Sequence, residues 1–428
     1  MAKTTMSLHY SKTQLKNGLR IITAPKHDTN AVAVLILVKV GSRYETEAQA
    51  GLSHFLEHMF FKGTRKRPTY LHVSKELDGL GANFNAFTSE EYTGFYVQTS
   101  GDHFDQALDV LADMLLNGTL PEAEVLKERD VITEELNMYL DMPQSHVADL
   151  AKRTLFGQNP LGRPIIGYRE TITATTREEL INYKETFYQP PAMLVAVAGS
   201  GKPEHWRAMV EGYFGKLPTA TSPGYEQFRS GQAPRTMIGN KKTDQAHFVL
   251  GLPSLARSDS RRYTLRVLNN ALGGMMSSRL FTEIREKRGL AYYVGSGSDE
   301  YEETGAFFIR AGVPTTKVEE AIKIARKELE KITKTKLRAE ELSRAKENIK
   351  GRTYLELEDS FAVANFLAEQ ELFLDTIEQP EELIARVEAV TASDIIELAR
   401  ELVSPELMRL AVVGPYEDKA KFEKLLNP

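Results

Sequence analysis

The chain contains no cysteine. That absence excludes disulfides, iron–sulfur clusters, thiolate zinc sites and cysteine nucleophiles, so any metal must be held by histidine and carboxylate. No apolar run approaches the roughly 18 residues of a membrane span. Charge of one sign is also missing: 54 Lys and Arg stand against 59 Asp and Glu, for a net charge of -5. Neither a nucleic-acid nor an anionic-membrane partner is expected from such a balance. The stretch Met1 to Asn17 has no apolar core of a secretory signal and no arginine precedes Arg20. The expectation is a cytoplasmic protein.

What the sequence does contain is the mix of an ordinary globular protein, 42% hydrophobic and 26% charged over 428 residues. That length suits two or three domains. The chain reads as two copies of one unit. Thr176-Arg-Glu-Glu-Leu-Ile opens a helix and Met193-Leu-Val-Ala-Val-Ala-Gly199 follows as a buried strand. Thr391-Ala-Ser-Asp-Ile-Ile and Met408-Arg-Leu-Ala-Val-Val-Gly414 repeat the pair, both at an offset of 215 residues. Thr176 and Thr391 each precede a carboxylate by three residues, the pattern of a capping box. Thr93-Gly-Phe-Tyr-Val and Thr304-Gly-Ala-Phe-Phe-Ile form a second match, each a strand leading to a long amphipathic helix, over 104–116 and 318–332.

Between the halves, 214–239 holds Pro218, Pro223 and Pro234 with no apolar periodicity. The expected organisation is a first domain over 1–222, a linker over 223–234 and a homologous domain over 235–428. Short strands (18–24, 32–40, 93–98, 248–252, 306–312) alternate with blocks of helix. The expected fold class is α+β, with two homologous domains in tandem, each a largely antiparallel sheet with helices packed on one face.

The chemistry concentrates in Gly51-Leu-Ser-His54-Phe-Leu-Glu57-His58-Met-Phe-Phe-Lys-Gly63. His54 and His58 stand one helical turn apart, so both imidazoles leave the same face and can meet one cation. Glu57 flanks that face and can hold a metal-bound water without being a ligand. The order His-x-x-Glu-His inverts the familiar His-Glu-x-x-His, with the same logic. Zinc would acidify the water and polarise a substrate carbonyl while the carboxylate takes the proton. Two satisfied surface histidines would give the same letters, but the helix is otherwise very apolar. A third ligand should be a carboxylate on another helix. Residues 124–137 offer Glu128 and Glu135, two turns apart on one face, with Glu134 about 100° away. Composition alone reads that helix as a solvated acidic face.

His-x-x-Glu-His followed 77 residues after His58 by the last Glu of Glu128-Arg-Asp-Val-Ile-Thr-Glu-Glu135 resembles the pitrilysin/insulinase family of zinc peptidases. That family includes the mitochondrial processing peptidase and the insulin-degrading enzyme. The resemblance implies His54, His58 and Glu135 as zinc ligands, one zinc per chain, with Glu57 as catalytic base. It implies Glu128 as the carboxylate that orients a ligand. Asn83-Phe-Asn85-Ala86-Phe87-Thr88 resembles the family's edge strand, where substrate adds as an extra strand and Asn85, Ala86 and Phe87 make the contacts. Ser278 to Tyr292 resembles the segment that brings an Arg and a Tyr. The resemblance assigns Tyr292 to the oxyanion and Arg285 to the substrate backbone or carboxylate.

The second half lacks His-x-x-Glu-His, so zinc belongs to the first. The resemblance covers nearly the whole chain and implies a zinc-dependent endopeptidase that hydrolyses unfolded peptides or oligopeptides inside a dimeric chamber. Because this chain carries both the ligands and the Arg/Tyr pair, a homodimer is implied, and a heterodimer with a related subunit is left open. The alternative is a partner-dependent processing subunit or a peptide-binding shell with little activity alone. Other signals carry less. Gly199-Ser-Gly-Lys202 lacks the first glycine of a phosphate loop and is followed by Pro203, and the remaining histidines form no spaced pair.

Overall fold

The computed structural model describes residues 7–229, 231, 233–374 and 376–427. It contains two compact units, each built on one sheet. In the first, β1 (Ser11–Gln14), β2 (Arg20–Pro25), β3 (Ala31–Val38), β4 (Asn83–Thr88), β5 (Thr93–Ser100) and β6 (Met193–Gly199) run in the order β1-β2-β6-β3-β5-β4. All neighbours are antiparallel except β2 and β6. In the second, β7 (Thr236–Asn240), β8 (Gln245–Ser254), β9 (Tyr293–Glu300), β10 (Gly305–Pro314) and β11 (Arg409–Gly414) run β7-β11-β8-β10-β9, with β7 and β11 as the parallel pair. The second order reproduces β2-β6-β3-β5-β4 of the first. The duplication read at residues 193 and 408 is therefore a duplication of topology.

The capping boxes form as the sequence predicts. Thr176 accepts from the Glu179 N–H and Thr391 from the Asp394 N–H, and in each case the carboxylate reaches back to the threonine backbone. Each box fixes the start of the helix that feeds the central strand β6 or β11. Residues 199–202 form the turn between β6 and helix Pro203–Phe214, with Gly201 at φ +146, a conformation open to glycine.

The inner strands β3 and β6 of the first sheet are apolar on both sides. Val32 to Val38 is buried without interruption, which requires cover on both faces. Most of the helices lie on one face, where Phe60 meets Phe95 edge-on with ring centres 5.2 Å apart. The other face carries helix Ser360–Phe373, whose Val363, Ala364, Leu367 and Ala368 close over Ile22, Leu35, Leu37, Leu194 and Ala196. In the second unit the equivalent cover is helix Pro143–Phe156, with Val147, Leu150 and Ala151 against Val249, Ala411 and Val413. It lies so close that a Cβ on Gly251 would stand 3.0 Å from Leu155.

These two covering helices are counterparts in the duplication: the segments Glu122–Asp141 and Pro143–Phe156 correspond to Ala339–Glu356 and Ser360–Phe373, both at an offset of 217 residues. Each helix belongs by sequence to one half and by packing to the other half's sheet. The first compact unit thus takes in residues 354–379 and the second residues 137–163. The compact units are interleaved along the chain, where the sequence suggests two contiguous halves. No helix among the described residues is long and apolar enough to cross a membrane.

Candidate metal centre

The helix Leu52–Phe60 buries Leu52, Phe55, Leu56, Met59 and Phe60, one stripe at helical spacing. The opposite stripe is His54, Glu57 and His58. The helix begins at Gly51, whose φ of +99 suits glycine, and a Cβ there would come within 2.6 Å of the Ile166 carbonyl oxygen. The first backbone donors are capped by Glu45, a buried carboxylate. Its Oε2 accepts from the Gly51 N–H at 2.8 Å and its Oε1 from the Ser53 N–H at 2.6 Å. The carboxylate also complements the positive end of the helix dipole. Ser53 Oγ meets the buried Tyr183 hydroxyl at 2.8 Å.

Helix Glu122–Asp141 supplies the carboxylates. Glu135 faces the histidines, with Oε2 at 3.8 Å from His54 Nε2 and 3.5 Å from His58 Nε2. One donor atom from each of the three lies within 4.8 Å of the others, and no other such group exists among the described residues. Glu134, one position earlier, is exposed and outside this group. Glu128, two turns before Glu135, is buried, and its Oε1 accepts from His58 Nδ1 at 2.9 Å. Lys62 pairs with the other oxygen at 2.5 Å. Glu57 receives a hydrogen bond of 2.5 Å on Oε2 from the Thr88 hydroxyl of β4.

Burial, reinforced by the neighbouring His58, pushes His54 down to about 3, so it is a neutral imidazole with a free lone pair at physiological pH. His58 donates Nδ1–H to Glu128 and thereby presents the Nε2 lone pair to Glu135. Burial tends to raise Glu128, but the hydrogen bonds from His58 and Lys62 outweigh it and leave the carboxyl below its usual range. Glu57 moves the other way. Burial lifts it, Thr88 and His58 pull it down in part, and Glu135 adds to the lift, so the net shift is upward.

The residues fit a divalent cation. A tetrahedral metal with bonds near 2.1 Å separates its ligand atoms by about 3.4 Å, and the two imidazole–carboxylate separations of 3.5 and 3.8 Å approach that edge. Three carboxylates, Glu57, Glu128 and Glu135, border the histidines, and Lys62 pairs with Glu128 alone among them, so the cluster carries excess negative charge. His54 Nδ1 is buried with no hydrogen-bond partner among the described residues. A cation on Nε2 would settle that ring's tautomer where the protein does not.

The strand β4 lies at the edge of its sheet, with β5 on one side only. Thr88 points toward the metal helix, and Phe84 packs near Phe61 with ring centres 6.5 Å apart. Ala86 shares that side of the strand by alternation. Asn85 and Phe87 point the other way. Asn85 Oδ1 accepts the Ala86 N–H at 2.9 Å, and the Phe87 ring covers Gly94 and joins the core under helix Ser360–Phe373. Arg285 and Tyr292 lie in the second unit and are brought to each other: Arg285 Nη1 donates to the Tyr292 carbonyl at 2.7 Å, and the guanidinium lies 5.6 Å from the Tyr292 ring centre. The Tyr292 side chain is exposed.

Three contributors escape sequence reasoning. Glu45 and Lys62 carry no motif, although an acid six residues before the glycine that starts the helix is a cap in retrospect. Thr88 follows directly on Asn85, Ala86 and Phe87, the residues the resemblance singles out, and its own contact is not implied by it.

Comparison with known proteins places the chain in a family. Residues 20–169 match the insulinase (peptidase family M16) model, and residues 174–349 match the peptidase M16 inactive domain. An uncharacterized zinc protease of Streptomyces coelicolor is 38% identical over 95% of this chain and 90% of its own. One of Bacillus subtilis is 36% identical over 94% of this chain and 97% of its own. Among solved structures, a protease from Helicobacter pylori aligns with a TM-score of 0.88 at 24% identity over 96% of this chain and all of that one, a likeness of fold. The histidine helix and its carboxylates fall inside the first matched region, the Arg285/Tyr292 segment falls inside the second, and the chain belongs to the insulinase family, peptidase family M16.

Proposed function

We propose that the protein is a zinc-dependent endopeptidase that hydrolyses unfolded peptides or oligopeptides, with one zinc per chain. The observation that carries this reading is the convergence of His54, His58 and Glu135, with a second carboxylate, Glu57, beside the two histidines on the same helix face. His54, His58 and Glu135 would hold the metal, while Glu128 fixes the His58 tautomer. When bound, zinc supplies a Lewis acid that polarises the scissile carbonyl and acidifies water.

Glu57 is the base. Its Oε2 is occupied by Thr88, which leaves Oε1 to take a proton from the attacking water and deliver it to the leaving amine. The open side of β4 receives the peptide backbone as an added strand, and Ala86 and Thr88 face the chemistry.

Arg285 and Tyr292 act on the oxyanion and on the substrate carbonyl or carboxylate. In a homodimer, each site would take them from the partner copy. The direct test is cleavage of a quenched fluorescent peptide library by purified protein, followed by chelation and return of zinc. Loss on chelation and recovery with zinc are expected. Bound zinc without cleavage would replace this reading with a subunit that works only alongside a related partner.

A further inference from the structure

The first unit holds a cavity of about 640 Å³ that the peptidase reading does not use. Its size is that of a small-molecule site. It is lined by 115–120, by one face of helix Arg177–Phe187 and by the start of β6. Three cations line it: Arg65, Arg177 and Lys184. The one acid on the wall, Glu185, is exposed and makes no ion pair with them among the described residues, although its charge acts on Lys184.

Lys184 is half-buried and has no ion-pair or hydrogen-bond partner among the described residues, its ammonium standing 5.5 Å from the Phe60 ring centre. An unpaired ammonium in such a place is costly, and burial brings its pKa down to about 8. It is still mainly charged at neutral pH. Arg177 is held rigid, with Nε on the Leu120 carbonyl at 2.6 Å and Nη2 on the Thr119 carbonyl at 3.1 Å, so Nη1 remains as a spare donor. Leu120 adopts φ +44, the one positive value at a non-glycine among the described residues, and this strained turn places both carbonyls. Arg65 is exposed at the rim and unpaired among the described residues. Leu116, Ile181 and Met193 give an apolar part to a wall that also carries Asn117, Thr119, Tyr188 and Gln189.

We propose that this cavity binds a small organic anion, its carboxylate or phosphate head on Lys184, Arg177 and Arg65 and a short apolar body against Leu116, Ile181 and Met193. The proposal does not depend on the peptidase reading, because its test reads binding alone. The test is thermal unfolding and titration calorimetry of the full chain with sodium hexanoate and with sodium phosphate, against sodium chloride at matched ionic strength.

A saturable rise in Tm with either anion is expected. A response to hexanoate alone identifies a carboxylate carried on an apolar body, and a response to phosphate alone identifies a phosphate-bearing ligand. Lys184→Met should fold at least as stably in the absence of anion, because it removes an unpaired buried charge, and it should lose the response. Arg65→Gln, at an exposed position, should weaken binding about tenfold, the effect of losing one hydrogen bond to a charged group. No response to either anion beyond that to chloride, or an undiminished response in Lys184→Met, would overturn the proposal.

Discussion

The hydrogen bond between Glu128 and His58 makes a sharp prediction about metal affinity. Glu128 Oε1 accepts the His58 Nδ1 proton at 2.9 Å, and Oε2 is held by Lys62 at 2.5 Å. The bond fixes the tautomer and orientation of the ring and keeps the Nε2 lone pair on the side of Glu135. Glu128→Gln keeps the volume and one acceptor but removes the charge. A charge-assisted bond contributes about 1.5–3 kcal/mol, and a neutral one about 1 kcal/mol. The difference, with the weakened hold on the tautomer, corresponds to about a 10- to 100-fold loss of zinc affinity. Lys62→Met acts oppositely: it leaves Glu128 with less competition for its charge, so zinc affinity should hold or rise. The assay is competition for zinc against a chromogenic chelator at fixed pH and salt. Zinc affinity within twofold of wild type in Glu128→Gln, or an equal loss in both variants, would refute the argument that this carboxylate acts through the imidazole.

Further outcomes follow from other contacts. Glu45→Ala strips both backbone bonds from the start of the metal helix and should cost about 2–4 kcal/mol in denaturant unfolding, with weaker zinc binding as that helix frays. Partial burial would raise Asp109, but hydrogen bonds from Arg67, Lys66 and Tyr213 hold it at about 2 against an ordinary 3.8. Its contribution to stability is therefore complete above about pH 4 and lost as the pH falls toward 2. Asp109→Asn should flatten that part of the Tm–pH curve, and an unchanged curve would remove Asp109 from the account. Mixing a Glu57→Gln chain with a Tyr292→Phe chain, each nearly inactive alone, should restore about a quarter of wild-type cleavage after random exchange, if partner copies complete each other's sites. Verified exchange without recovery would reject that arrangement.

Much of the site was legible because its logic is local. The i, i+4 histidines and the intervening Glu57 need only a helix, and the apolar stripe of Leu52, Phe55, Leu56 and Met59 declares one. The choice between Glu134 and Glu135 rests on which face of Glu122–Asp141 turns to the histidines, and a three-dimensional neighbour decides it. The duplication was legible because capping boxes and buried strands recur at a constant spacing. The exchange of covering helices was not. The apolar face of Pro143–Phe156 announces that it packs on something, but Val147 and Leu150 would suit either sheet. Lys62 and Thr88 act through single side-chain contacts that no spacing rule encodes, and the cavity around Lys184 assembles segments far apart in the chain.

The claim that Glu57 is a base beside a metal held by other residues is tested most directly in one preparation of Glu57→Gln, measured for both zinc content and peptide cleavage. One zinc per chain is expected, as in wild type, with cleavage reduced by at least about a hundredfold, the scale of general base catalysis. Zinc retained with cleavage near the wild-type rate would contradict it, because the proton would then be moving through some other group.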